Sequence, residues 1–320
     1  MATLFPGFRA QRVRTRGATI HLVVGGAGPP VLMLHGYPQT HAMWHKIAPA
    51  LARDYTVVCA DLRGYGASSK PRGLPDHANY SKRAMGEDMF DVMRALGCER
   101  FHVVGHDRGG RVGHRMARDG GARIASLTVM DICPTLAMYE RTDRAFATAY
   151  WHWFFLIQPP PLPERLLAGH APYYLLGRIG RGTAGLRPFA RAARRAYLRA
   201  FRDPRTIHAT CEDYRASATI DLEHDRAERG RKIRMPVLVL WGRRGVIGTM
   251  FDALREWRAV ATDVRGEALD CGHFLPEEKP REVLRALRAF LAQVEVRAPA
   301  ALPRAAHLRP PAKSGSMRAA

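Results

Sequence analysis

The chain has 320 residues, 47% of them apolar and 25% charged, a balance that supports a sizeable folded core and excludes disorder for most of its length. Its formal charge of +21 would ordinarily point to nucleic acid, but nearly all of the excess is arginine spread along helical stretches, so it reads as compositional and no nucleic-acid partner is expected. No apolar stretch approaches the roughly 20 residues that span a bilayer, and the opening Met1-Ala-Thr-Leu-Phe-Pro-Gly lacks a basic region followed by a long apolar run, so no membrane partner and a cytoplasmic location are expected.

Short apolar runs bounded by Gly, Pro or Asp predict strands at Ile20 to Val24, Val31 to Leu34, Thr56 to Ala60, Phe101 to Gly105 and Ile124 to Met130. Helical periodicity between them covers Met43 to Arg53, Ser81 to Leu96 and Arg108 to Arg118. From Val31 onward β and α alternate, the pattern of a mostly parallel sheet flanked by helices. The alternation stops after Asp131 and resumes with Val237 to Trp241, Asp263 to Leu269 and a final amphipathic helix from Arg281 to about Gln293.

The organisation expected is therefore one α/β core from residues 1–133 and 227–295, interrupted by an inserted helical cap at 134–226. The cap is aromatic around Tyr150-Trp-His-Trp-Phe-Phe and Arg-rich from Phe189 to Phe201. Its charge either steers anions toward a cleft beneath it or simply makes a solvated helix face. Residues 296–320, rich in Ala, Pro and Arg, are expected to be a disordered basic tail. The five cysteines are scattered, odd in number and never spaced Cys-x-x-Cys, which argues against a disulfide framework and against a zinc site.

The chemistry is concentrated in Gly105-His106-Asp107-Arg108-Gly109, which follows a predicted strand and opens a predicted helix. This is the context of a nucleophile elbow: glycines allow a sharp turn, and the central side chain is thrust above the sheet at a helix N-terminus. Here that residue is aspartate. A carboxylate is a poor esterase nucleophile, but it can attack a carbon bearing a leaving group and form a covalent ester. Such an ester needs a base to activate water. His273, in Asp270-Cys-Gly-His-Phe after the last predicted strand, is the candidate, with Asp131 at the end of Leu127-Thr-Val-Met-Asp as the acid that orients it. The other usual acid position, after Trp241-Gly, reads Arg243-Arg-Gly-Val-Ile and offers no carboxylate. His35-Gly-Tyr37-Pro supplies a pocket residue, and the backbone N–H groups of Tyr37 and Arg108 are the candidate oxyanion donors. No metal or organic cofactor is required.

Arg108 and Arg111 lie three apart and so share a helix face. Two guanidiniums can clamp one carboxylate, which makes a small anionic substrate, with water, the expected partner.

The segments Gly105-His-Asp-Arg-Gly-Gly-Arg111, His35-Gly-Tyr-Pro-Gln-Thr and Asp61-Leu-Arg-Gly-Tyr-Gly-Ala-Ser resemble the haloalkane dehalogenase and epoxide hydrolase branch of the α/β-hydrolase family. Trp151-His-Trp-Phe-Phe and Cys211-Glu-Asp-Tyr-Arg-Ala narrow the resemblance to the fluoroacetate (haloacetate) dehalogenases, over about Phe8 to Phe290. It implies the α/β-hydrolase fold, hydrolysis of small 2-haloacids to 2-hydroxyacids, and halide binding by His152, Trp153 and Tyr214. It also allows a homodimer, for which the sequence shows no interface pattern. The chain departs from the group in having no tryptophan between Trp153 and Trp241, where Gly177 to Gly185 is glycine-rich, and in Tyr37 where phenylalanine is expected. A larger pocket follows, extending the expected substrates to chloroacetate, bromoacetate and longer 2-haloacids. An epoxide hydrolase with the same triad is the enzymatic alternative, drawing on lid tyrosines among Tyr139, Tyr150, Tyr173 and Tyr174.

Overall fold

The computed structural model describes residues 4–181 and 184–299. Eight strands form one sheet: β1 (Arg9–Arg14), β2 (Thr19–Gly25), β3 (Pro30–Leu34), β4 (Thr56–Ala60), β5 (Phe101–His106), β6 (Ile124–Met130), β7 (Val237–Gly242) and β8 (Val264–Leu269). Their order is β1-β2-β4-β3-β5-β6-β7-β8. The β1/β2 and β2/β4 pairs are antiparallel, and the pairs from β4 to β8 are parallel. Every residue of β3, β4, β5 and β6 is buried, as expected of parallel strands covered on both faces.

Helices α1 (Ala48–Leu51), α2 (Lys82–Ala95) and α3 (Arg108–Gly120) belong to the first half of the core. Between β6 and β7 come α4 (Thr135–Glu140), α5 (Arg144–Ala149), α6 (Trp151–Leu156), α7 (Leu162–Ala168), α8 (Ala171–Gly180), α9 (Arg191–Phe201), α10 (Pro204–Ala218) and α11 (Ile220–Ala227), followed after β7 by α12 (Val246–Met250), α13 (Ala253–Val260), α14 (Leu275–Glu278) and α15 (Pro280–Leu291). This is the α/β-hydrolase fold. All five cysteines are free and buried. Among the described residues no helix is long and apolar enough to cross a membrane.

Three local expectations need correction. The helix expected over Met43 to Arg53 is instead a 3-10 turn at His41–Lys46 followed by α1. Pro49 has no N–H to give to the carbonyl four residues back, so a continuous helix cannot run through it. Strand β1 was not anticipated, because Arg-Ala-Gln-Arg-Val-Arg is mostly polar; only Gln11 and Val13 turn inward. Asp131 lies just past β6 rather than within it, at φ +52°. Within the Arg-rich stretch, Arg191, Arg195 and Arg199 of α9 are exposed while Ala193, Tyr197 and Phe201 are buried, so that helix presents a solvated face. Residues 300–320 of the expected tail, and Gly182 and Thr183 of the glycine-rich stretch, lie outside the described residues.

Candidate active site

Asp107 sits between β5 and α3 at φ +46° and ψ −114°, a backbone conformation costly for a side-chain-bearing residue and characteristic of functional sites. The turn is tight enough to require the surrounding glycines. A Cβ on Gly109 would stand 2.3 Å from the Leu34 carbonyl oxygen, and one on Gly36 would stand 2.6 Å from the Asp107 Cβ. The strained turn is held by hydrogen bonds from Asp107 N to Met130 O (3.1 Å) and from Arg111 N to Asp107 O (3.1 Å).

The Asp107 carboxylate is polarised between two partners. Its Oδ1 accepts the Tyr37 N–H at 2.9 Å, while Oδ2 lies 4.0 Å from His273 Nε2, too far for a direct hydrogen bond. His273 Nδ1 donates to Asp131 Oδ2 at 2.6 Å. Asp131 Oδ1 in turn accepts the Gly242 N–H at 2.8 Å, so the end of β7, which lacks an acid of its own, contributes a backbone donor to the acid at the end of β6. His106 Nε2 lies 2.7 Å from the His273 carbonyl oxygen. A carbonyl only accepts, so this nitrogen carries a proton. Burial, with the charge of His273, pushes the His106 imidazole down to about 3, and it is therefore a neutral strut.

Burial opposes ionisation at Asp107, but the electrostatic influence of the His273 and His106 rings and the charges of Arg111 and Arg108 prevail and hold its pKa below the ordinary value. At His273 burial is likewise outweighed, by the Asp131 hydrogen bond and the charges of Asp131 and Asp107, and its pKa is raised. Asp131 is raised, chiefly by burial.

Arg108 and Arg111 are buried in the first turn of α3, and most of their donors are engaged by protein. Arg108 Nε and Nη2 bind the Asp213 carboxylate at 2.9 and 2.7 Å, and Nη2 also reaches Ser217 Oγ at 2.7 Å. Arg111 Nη1 donates to Thr135 Oγ1 at 2.9 Å, and Nη2 approaches Met138 Sδ at 3.2 Å. One nitrogen on each, Arg108 Nη1 and Arg111 Nε, is buried with no hydrogen-bond partner. The guanidiniums also face aromatic rings, Arg108 over Tyr214 at 4.1 Å and Arg111 over Trp153 at 4.7 Å.

His152, Trp153 and Tyr214 come together from α6 and α10. His152 Nδ1, Trp153 Nε1 and the Tyr214 hydroxyl are each buried without a hydrogen-bond partner, an arrangement that costs free energy unless a ligand is taken there. Arg178 Nη2 lies 3.3 Å from His152 Nε2. A guanidinium only donates, so Nε2 accepts and the imidazole proton sits on Nδ1. Burial and the charge of Arg178 push His152 well below the ordinary imidazole range, consistent with a neutral ring.

A cavity of about 230 Å³ opens above Asp107, walled by Tyr37, Tyr150, His152, Tyr214 and His273. Arg108, Arg111 and Trp153 are not among the residues that line this cavity, although both guanidiniums are near enough for their charges to lower Asp107. Arg178, Arg181 and Arg244 also line the cavity; nothing distinguished them in the sequence from the other arginines. Asp213, whose partner Arg108 is 105 residues away, stood in the Cys211-Glu-Asp-Tyr-Arg-Ala segment that carried the resemblance, but nothing local gave it a role. Of the four lid tyrosines considered for epoxide opening, Tyr150 lines the cavity, whereas Tyr173 is 83% exposed. One group of described residues has metal-ligand spacing, His21, His41 and Asp61. Asp61 there already accepts backbone N–H groups from His41 and Ala67, both at 2.8 Å, and serves to tie loops together.

The α/β hydrolase fold family model matches residues 29–280. A fluoroacetate dehalogenase from Burkholderia sp is 48% identical over 289 residues, 90% of this chain and 95% of the relative. The chain belongs to the α/β-hydrolase family, in its haloacetate dehalogenase group. This hydrolase is also 32% identical to a soluble epoxide hydrolase from Corynebacterium sp. (strain C12), across 86% of the chain and 94% of the relative. The crystal structure of ALR0039 from Nostoc sp PCC 7120 superposes with a TM-score of 0.88 at 55% identity, covering 89% of this chain and 98% of that one.

Proposed function

We propose that this hydrolase converts small 2-haloacids to 2-hydroxyacids through an ester on Asp107. In the first stage Asp107 Oδ2 attacks the halogen-bearing carbon. The C–O bond forms as the carbon–halogen bond breaks, and the bond's electron pair leaves with the halide. The unpartnered donors of His152, Trp153 and Tyr214 receive that charge, which matters most for fluoride, a poor leaving group. The free N–H groups of Arg108 and Arg111 hold the substrate carboxylate, which supplies orientation. In the second stage His273 Nε2 takes a proton from water as the water oxygen attacks the Asp107 carboxyl carbon. Asp131 stabilises the imidazolium, and the N–H groups of Tyr37 and Arg108 take the oxyanion. Collapse expels the hydroxyacid oxygen, which recovers the proton from His273, and the Asp107 carboxyl, left with the second water proton, releases it to solvent and is a carboxylate again.

The observation that carries this reading is an elbow carboxylate with one oxygen on a backbone N–H and the other 4.0 Å from the base. That gap leaves room for the second-stage water. Ion-selective measurement of halide release from fluoroacetate, chloroacetate and bromoacetate, run beside a panel of epoxides, tests it: halide release is expected, and turnover of epoxides alone would refute it. Epoxide hydrolysis is kept as the second reading because Tyr150 and Tyr214 both line the cavity and could together protonate an epoxide oxygen.

A further inference from the structure

The cavity is larger and more cationic than a two-carbon acid needs. Its volume of about 230 Å³ is many times the roughly 10–15 Å³ of such space that one water needs, room for more than the few heavy atoms of a haloacetate. Asp107 is the one acidic residue among those that line the cavity, against three guanidiniums. Arg178 projects from α8 onto the wall that holds His152, with its Nε buried and unpartnered. Neither Arg178 nor Arg181 forms an ion pair with a carboxylate among the described residues. Arg244, at the exposed rim, is partly neutralised by Asp270 at 3.2 Å. Unpaired guanidiniums beside a low-dielectric cavity favour an anion there. That anion is additional to the carboxylate assigned to Arg108 and Arg111.

We propose that Arg178, assisted by Arg181 and Arg244, forms a second carboxylate site, so that the preferred substrates are dianionic 2-haloacids of the 2-halosuccinate type, whose second carboxylate hangs from the halogen-bearing carbon by one methylene. The inference rests on the dehalogenase reading and adds a substrate class to it. Chemistry at the reacting carbon is unchanged: Asp107 displaces the halide and water releases a 2-hydroxydicarboxylate.

Chloride release from 2-chlorosuccinate is compared with release from 2-chlorobutanoate, a monoanion of the same carbon count, with chloroacetate as reference. The wild-type enzyme is expected to favour chlorosuccinate in kcat/KM by about tenfold or more, the scale of one charge-assisted hydrogen bond, with the gain in KM. Arg178→Met is expected to remove most of that ratio and Arg178→Lys to keep part of it. In parallel, tryptophan fluorescence of the wild-type protein should report tighter binding of 2-hydroxysuccinate than of 2-hydroxybutanoate. Chloroacetate turnover with no dianion preference, or an Arg178→Met variant that loses both substrates alike, would overturn the second site and leave these arginines as steering charges. No chloride from any of the three would instead count against dehalogenation itself.

Discussion

Replacing Asp131 by Asn tests the relay because the two oxygens of Asp131 have different partners. Oδ1 accepts the Gly242 N–H at 2.8 Å and Oδ2 accepts the His273 Nδ1 proton at 2.6 Å. An asparagine has one oxygen and one NH₂ for these two positions. The Gly242 N–H is fixed by the backbone and always donates, so the amide oxygen must turn to it. The NH₂ then faces His273 Nδ1, which has to present its lone pair, and the ring proton moves to Nε2. That is the nitrogen 4.0 Å from Asp107 Oδ2, and with a proton it can no longer accept one from water. Hydrolysis should slow by the contribution of a general base, roughly 10²–10⁴-fold, or about 2.7–5.4 kcal/mol of barrier. Displacement of halide, which needs no base, should persist. Rapid-quench measurement on chloroacetate should therefore give a burst of about one chloride per site, with mass spectrometry finding the ester on Asp107. Steady turnover within about tenfold of wild type, below the general-base range, or loss of the burst, would refute the relay.

Other consequences can be measured separately. Asp107 is held below the ordinary carboxylate range, so kcat/KM should stay flat through neutral pH and fall only in strong acid. His273 is raised and must be neutral to act, so a hydrolysis-limited kcat should rise with pH through its pKa. Esterification removes the Asp107 charge, so that limb should lie below the His273 pKa found by NMR in the free enzyme; coincidence of the two would contradict the assignment. The ¹⁵N shifts of His152 should report a proton on Nδ1, and Arg178→Met should release that preference; an Nε2–H ring in the wild type would contradict the contact. Buried Glu277, which accepts the Tyr197 hydroxyl at 2.6 Å, is pushed up to about 7, chiefly by burial. A raised acid favours the fold below the unfolded pKa and loses that contribution as pH rises through the folded one. At 1.36 kcal/mol per unit, Glu277→Gln should gain up to about 3 kcal/mol on wild type between about pH 5 and pH 8 in urea unfolding; a constant difference would refute the shift.

The parts of the site that read from sequence are those whose signal is local. Asp107 is flanked by the glycines its turn demands, Asp131 follows a strand that is a continuous buried run, and His273 follows β8, whose Val-Arg-Gly-Glu-Ala-Leu is only partly apolar and mostly half-exposed. The central strands were legible because burial on both faces makes them continuous apolar runs, whereas β1 has only Gln11 and Val13 inward. What escaped depends on contacts across the fold. Asp213 is one acid on an ordinary helix until α10 packs against Arg108. Arg178 looks like Arg191 or Arg199, and only the three-dimensional packing of α8 turns it toward His152 while α9 turns Arg191, Arg195 and Arg199 to solvent. The clamp shows the same limit: spacing put Arg108 and Arg111 on one face, but could not tell that Asp213, Ser217 and Thr135 would take most of their donors.

The covalent ester on Asp107 is tested most directly by a single turnover of chloroacetate in H₂¹⁸O with enzyme in excess. Water attacks the Asp107 carboxyl carbon, so the label should enter Asp107, found by peptide mass spectrometry, while the released hydroxyacid carries an unlabelled oxygen from the enzyme. Label in the first-turnover product with none in Asp107 would mean that water attacks the substrate directly, and would contradict the account.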